Sequence, residues 1–295
     1  MDLKAAPFNL DRDAIAWVES TIGSMTLVEK IGQLLINHNN DYFPEYLDDV
    51  LDTYHVGGMR YRPGPSAAVQ DHIRYAQSRT KVPLLVASNP EMGGFGSCDD
   101  GTCVCTHLQA GSHPVKNIAR QMGQVAGVEC TAIGCNWAFA PIVGIHYNWR
   151  NTVMSTRSFG NTPEIVVERA KEYFDGISGS NMVCTRKHFP GHGIDERDQY
   201  VVTSYNALGY DAWSESPPDA SQTIGLTQAT KRRDLVPGTI DAGCDMFLFF
   251  RNPAEGFQYM MDGYKAGIIT GGAPASRAAP HPGAEGCRRP AQDRV

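Results

Sequence analysis

The run Lys187-His188-Phe189-Pro190-Gly191-His192-Gly193 is the most chemically suggestive stretch of the chain. A lysine and a histidine ahead of a turn rich in Gly and Pro can aim three ammonium donors and an imidazole at the hydroxyls of one ligand. The same residues also suit an ordinary strand-to-helix turn with a structural histidine. Upstream, Asn89 and Glu91 stand two residues apart after an apolar run, Arg157 lies in a longer polar loop, and Arg60 sits near the end of another apolar run. Asn89 is as readily a turn former as a ligand-binding amide. Cys98, Cys103 and Cys105, with His107 close by, form a C-x4-C-x-C cluster of the residue types that hold zinc. Their spacing does not match paired metal knuckles, so the cluster reads as a solvated loop insertion, and neither a metal nor a cofactor is expected.

These side chains need elements to gather them. From residue 12 to 36 the apolar positions Ile15, Val18, Ile22, Leu27, Ile31, Leu34 and Leu35 recur at helical spacing, and Thr26 with Glu29 makes a capping-box pattern. Two amphipathic helices are predicted there and a third near 46–54. A short strand over 56–61 follows, then the break Pro63-Gly64-Pro65 and a helix over 66–78. The alternation continues with a strand over 83–88, a Gly-rich loop, a helix near 115–129, a strand over 136–143, a helix over 163–178 and a strand over 181–185. A helix over 232–242 with Gly243 as its cap, a strand over 245–250 and a helix over 254–266 complete the plan. Near-continuous apolar strands between amphipathic helices predict a parallel sheet covered on both faces, as in α/β barrels and doubly wound sheets. In a barrel the informative residues sit just after the strands. Arg60, Asn89, Glu91, Arg157 and Lys187 occupy such positions.

The run from Lys187 to Gly193 resembles a signature of glycoside hydrolase family 3, especially its bacterial β-N-acetylhexosaminidases, whose catalytic domain is a (β/α)8 TIM barrel or a close variant. The segment from Met25 to Leu34 is similar to that family's first helix, and Arg157-Ser158-Phe159-Gly160 to its sugar-binding loop. The resemblance implies an α/β TIM-barrel domain over 1–270, a carbohydrate substrate, and retaining hydrolysis of a terminal β-linked N-acetylglucosamine or glucose. It implies Asp219, in Asp219-Ala220-Ser221-Gln222, as the nucleophile, with the Arg232 to Leu235 and Ala242 to Met246 segments keeping the downstream order. Taken alone, Asp219 after Pro217-Pro218 is an ordinary solvated turn residue. An aspartate below an anomeric carbon can form a covalent glycosyl intermediate while an acid about 5 Å away protonates the leaving oxygen. By the same resemblance Arg157, Lys187 and His188 hold sugar hydroxyls. Asn89 stands where many members carry an Asp, with Glu91 two residues on. The family's single-domain hexosaminidases use as acid/base a His paired with an Asp two residues earlier, and these positions fall on Tyr200 and Asp198. A phenol with a pKa near 10 exchanges protons poorly at neutral pH, where an imidazole near 6.5 is well placed. His192, on the same loop, is the nearest titratable substitute.

Only 19 residues lead from Tyr200 to Asp219, whereas one βαβ unit takes about 30 or more. With five clear strands against about eight in a barrel, the resemblance implies that barrel units five and six are missing, with a gap in the family pattern near 203–218. The alternative is a truncated, catalytically inactive remnant that binds sugar. An incomplete parallel sheet exposes strand edges, so self-association is expected. The 271–295 segment holds 14 Gly, Ala or Pro among its 25 residues, without apolar periodicity, and reads as a disordered low-complexity tail. In all, 295 residues with 42% apolar and 20% charged side chains suit one large domain. A net charge of −6 and a pI near 5.8 supply no basic field for a polyanion, so nucleic acid and anionic membrane are not expected partners. The core run from Met246 to Phe250 is far below the roughly 20 residues of a bilayer span. Charge precedes any apolar signal region at the N-terminus, and the eight cysteines are irregularly spaced, so the location reads as cytoplasmic and the thiols as reduced.

Overall fold

A computed structural model describes residues 2–6, 8–39, 42–188, 191–198, 231–250 and 252–269. In chain order the elements are α1 (Arg12–Ser24), α2 (Leu27–Gly32), β1 (Leu35–Asn39), α3 (Pro44–Tyr54), β2 (Gly58–Tyr61), α4 (Ser66–Ser78) and β3 (Leu85–Ser88). They continue with α5 (His107–Ser112), α6 (Ile118–Ala132), β4 (Trp137–Ala138), a 3-10 turn (Ser155–Arg157), α7 (Pro163–Ile177), β5 (Val183–Cys184), α8 (Arg232–Asp241), β6 (Phe247–Phe250) and α9 (Pro253–Lys265). The strand order is β5-β4-β3-β2-β1-β6. The β1–β2, β1–β6, β3–β4 and β4–β5 pairings are all parallel. This is the α/β architecture of an incomplete (β/α)8 barrel, in which the last strand returns beside the first. The predicted gap near 203–218 and the 271–295 tail lie outside the described residues. Among the described residues no helix is long and apolar enough to cross a membrane.

The described residues fall into two units, one drawn from 1–62, 74–86 and 232–295, the other from 63–73 and 87–231. In the first, α1 starts at Asp11, whose carboxylate accepts from the Ala14 N–H at 2.8 Å. The predicted capping box of Thr26 and Glu29 opens α2. Lys81 meets Glu29 at 2.6 Å and, with the Thr26 N–H, holds that carboxyl down at about 2. The helix predicted to run to residue 36 instead stops at Gly32. A Cβ there would lie 2.0 Å from the Tyr54 carbonyl oxygen, so the end of α2 is seated against the end of α3. The chain then turns into β1, a strand absent from the sequence reading. Leu35, Ile36, Asn37 and Asn39 of β1 are buried, and a strand covered on both faces shows the contiguous apolar residues that also fit a helix. Six strands thus stand among the described residues where the sequence showed five.

The second unit carries β4, β5 and the helices α5, α6 and α7. The strand predicted over 136–143 contracts to Trp137–Ala138, with a further single parallel bridge between Ile142 and Lys187. Residues read as a Gly-rich loop include α5, which opens on a capping box of Thr106 and Gln109. The helix predicted near 115–129 runs from Ile118 to Ala132 and packs closely on α7. A Cβ on Gly123 would lie 2.2 Å from the Tyr173 carbonyl oxygen, so this approach requires the glycine. Between these helices and the strands the core holds Met122, Ala126, Ala138, Phe139, Tyr173 and Ile177.

Candidate active site

The polar site is built at the ends of β3, β4 and β5, within the second unit. After β3 the chain turns at Asn89, where the Glu91 N–H donates to the Asn89 carbonyl at 2.8 Å. The buried Tyr173 hydroxyl of α7 donates to the Pro90 carbonyl at 2.7 Å and fixes that turn from beneath. Lys187 follows β5 in strand-like register. Its N–H donates to the Pro141 carbonyl at 3.1 Å and its carbonyl accepts from Val143 at 2.7 Å. Its ammonium therefore reaches Asn89 Oδ1 at 3.1 Å and Glu91 Oε1 at 2.8 Å. From the 3-10 turn, Arg157 grips the same carboxylate as a fork, with Nε 2.8 Å from Oε2 and Nη2 2.9 Å from Oε1.

Glu91 is thus a carboxylate shared by two cations, with 14% of its side chain exposed. Burial alone would raise its pKa, but the Arg157 hydrogen bonds and the charges of Lys187 and Arg157 outweigh it and hold the carboxyl at about 2. Glu91 is ionised at any working pH and cannot serve as a proton donor. One negative charge between two positive ones leaves the cluster with a positive excess. His188 is the counterpart. Burial, then His192 and the nearby cations, push its imidazole down to about 3, so it is neutral. The His188 and His192 rings meet edge to face, centroids 4.5 Å apart. His188 Nδ1 is buried with no hydrogen-bond partner among the described residues.

The sequence-predicted residues Asn89, Glu91, Arg157, Lys187 and His188 are brought together, and His192 joins them through His188. Asp198 lies half-buried further along the 191–198 segment, next to Arg197, which pairs with Asp195 at 2.9 Å. Tyr200 and Asp219 lie outside the described residues. One residue of the site was read differently in the sequence. His107, placed with Cys98, Cys103 and Cys105, instead faces Arg157: its Nδ1 donates to the Arg157 carbonyl at 2.7 Å. Its ring lies 4.1 Å from that of Phe159, and burial pushes its pKa down to about 4. Nε2 of His107 is buried without a hydrogen-bond partner among the described residues. Cys98 is buried and Cys103 exposed, and among the described residues no group of three or more His, Cys, Asp or Glu side chains is placed to hold a metal ion.

The sequence model of the glycosyl hydrolase family 3 N-terminal domain matches residues 26–208. The chain belongs to glycoside hydrolase family 3. It is 32% identical to a β-N-acetylglucosaminidase/β-glucosidase of Cellulomonas fimi, over 92% of this chain and 59% of that protein. A β-hexosaminidase of Pasteurella multocida is 31% identical over 48% of this chain and 41% of its own length. The family 3 chain therefore spans little more than half the length of the first of these relatives and less of the second. The Cellulomonas alignment runs over 335 positions, more than the 295 residues of this chain, so that protein carries residues inside the matched span with no counterpart here. Among solved structures, the β-glucoside phosphorylase BglX bound to 2FGlc superposes with a TM-score of 0.86 at 27% identity, covering 97% of this chain and 63% of that one. A family 3 β-N-acetylglucosaminidase from Paenibacillus sp. shares the fold at a TM-score of 0.78 and 20% identity, over 92% of this chain and 65% of its own.

Proposed function

We propose that this family 3 chain is the catalytic portion of a retaining β-glycosidase that removes a terminal β-linked N-acetylglucosamine or glucose. The observation that carries the reading is the convergence of Arg157 and Lys187 on Glu91, beside Asn89 and His188. Glu91 holds the two cations at fixed positions, from which Arg157, Lys187 and the Asn89 amide bind the hydroxyls of the terminal sugar. His188, neutral, contributes an uncharged hydrogen-bonding ring. Asp219 attacks C1 and forms a C1–Oδ bond as the bond from C1 to the leaving oxygen breaks. The leaving oxygen takes a proton from the segment that carries His192 and Asp198 and continues to Tyr200. Water then attacks C1, returns its proton to that segment and frees Asp219. The low pKa of Glu91 supports assigning proton transfer to that segment, because an ionised carboxylate has no proton to give.

The test is turnover of an aryl β-N-acetylglucosaminide against an aryl β-glucoside by the purified chain, with a 2-fluoro sugar to trap the intermediate. We expect turnover of one series and a mass increase on the peptide containing Asp219, lost in Asp219→Asn. A folded chain that turns over neither glycoside and takes no label overturns the proposal; sugar binding without turnover in that chain identifies the inactive remnant. A second reading is supported by the likeness to the β-glucoside phosphorylase. A phosphate dianion attacks C1 without a general base, which suits a tyrosine at position 200 and a positively charged cluster. Formation of a glycosyl phosphate in phosphate buffer, with little hydrolysis in its absence, distinguishes this acceptor from water.

A further inference from the structure

We infer that His107 is a positioning residue of the site: its ring, presented by α5, sets where the Arg157 guanidinium stands through a hydrogen bond to the Arg157 carbonyl. The inference rests on the glycosidase reading, in which Arg157 binds sugar hydroxyls, and adds to it a residue that touches no sugar. The turn that carries Arg157 needs an outside hold. In the 3-10 turn Ser155–Arg157 the Arg157 N–H donates to the Met154 carbonyl at 2.6 Å. Ser155 at its start adopts φ +32°, a backbone conformation that residues other than glycine rarely take. Such a conformation persists where the surroundings over-determine it. Contacts from outside the turn do so here. The buried Ser158 hydroxyl donates to the Gly144 carbonyl at 2.7 Å. A Cβ on Gly111 of α5 would lie 1.6 Å from the Phe159 carbonyl oxygen, so the helix backbone lies directly against the residues that follow the turn. His107, at the first position of α5, reaches the turn itself, with Nδ1 2.7 Å from the Arg157 carbonyl oxygen.

A carbonyl oxygen only accepts, so Nδ1 carries the proton, and burial keeps the ring neutral with Nε2 bare. Nε2 is buried without a hydrogen-bond partner among the described residues. A buried polar atom left unpaired destabilises a fold, and a leucine would fill the space beside Phe159 and Tyr173 without that cost. The imidazole therefore supplies what packing does not, a donor of fixed direction. The direction is set by its neighbours, the Phe159 ring at 4.1 Å and the Tyr173 ring, met edge-on, at 6.0 Å. Tyr173 in turn donates to the Pro90 carbonyl at 2.7 Å, in the turn that carries Glu91. Two adjoining rings thus hold, each through a backbone carbonyl, the two partners of one ion pair. Arg157 Nε and Nη2 meet Glu91 at 2.8 and 2.9 Å, a paired geometry that tolerates little displacement. A turn released from His107 carries the guanidinium off the carboxylate and away from the sugar.

The experiment first reads the ion pair without sugar, by NMR of the nitrogen-labelled chain. We expect His107 to be neutral with its proton on Nδ1, and the Arg157 Nε–H to exchange slowly with water, the two signals being assigned by their loss in His107→Asn and Arg157→Lys. His107→Leu removes the donor and is expected to speed exchange of the Arg157 Nε–H about tenfold. His107→Asn, whose amide nitrogen stands in for Nδ1, restores slow exchange. With an aryl glycoside of the preferred series, His107→Leu raises KM about tenfold with little change in kcat, His107→Asn reverses the rise, and the rise vanishes when Arg157 is already lysine. A proton on Nε2, or exchange unaltered in His107→Leu, overturns the proposal. Exchange equally fast in the Leu and Asn variants assigns His107 to packing and also overturns it. So does a KM that His107→Leu leaves unchanged, or raises equally in the Arg157→Lys chain. If His107→Leu does not fold, His107→Phe takes its place, and where neither folds the position of the proton in the unaltered chain decides. If the unaltered chain turns over no glycoside, the glycosidase reading fails by itself, and the proton and exchange measurements still judge His107.

Discussion

Glu91 shows how one side chain sets the protonation and geometry of its neighbours. Replacing it by Gln removes the carboxylate that Arg157 and Lys187 share and leaves two cations close together. We expect Glu91→Gln to cost about 2–3 kcal/mol in urea denaturation and to lower kcat/KM about 100-fold, since both cations shift. Unchanged stability would mean the triad is not formed. The titration of the site has two windows. His188, at about 3 in the folded chain, is stabilising above its unfolded pKa of about 6.5, and that stability is lost as pH falls toward 3. Glu91 contributes stability that is present above about 4.5 and is lost only as pH falls toward 2. His188→Gln should therefore flatten the fall of the urea midpoint between pH 6.5 and 4.5, although His107, at about 4, keeps part of the slope. Parallel profiles for the two proteins would show that His188 is not desolvated. The gathering of Asn89, Arg157 and Lys187 at one end of the strands was legible in the sequence because each follows an apolar strand run. The partnership of His107 with Arg157 was not, because it joins residues 50 apart and leaves no local spacing to read.

At the scale of elements, β1 is the instructive case. Ile31, Leu34 and Leu35 continue a helical pattern, yet α2 ends at Gly32 and the strand begins at Leu35. The deciding contact is tertiary: Gly32 lies against the carbonyls of Tyr54 and His55 at the end of α3. Gly32→Ala forces a methyl group onto those oxygens and is expected to destabilise the chain by about 1–3 kcal/mol. An equal urea midpoint for the variant and the unaltered chain would remove this account of where the helix stops. Elements whose signals are local fared better. The Thr26 capping box, the helices α4 and α7 and the turn after α8 were legible, the last because Gly243 adopts φ +115°, where glycine is favoured. The capping box of Thr106 and Gln109 was equally local, but α5 is only six residues long and carries no apolar periodicity to reveal it.

At the scale of the whole molecule, β6 occupies the place beside β1, and among the described residues β5 pairs with β4 alone. That the strands run parallel was legible from their alternation with helices, while β1 was needed before the count could be read correctly. We expect the purified chain to associate as its concentration rises, followed by sedimentation velocity, and Val183→Lys on β5 to weaken that association. A single concentration-independent monomer would contradict it. The pairing of β1 with β6 also bears on how the protein is made. Leu35 and its partner Phe247 are separated by about 200 residues of chain, so at a synthesis rate of about 5–20 residues per second a nascent β1 waits ten seconds or more for its last neighbour to leave the ribosome. The portion from 87 to 231, which holds the ion cluster, emerges without such a delay. Its side chains can settle before β1 and β6 of the other unit have paired, and the interval in which that edge of β1 is uncovered is when a chaperone has most to do.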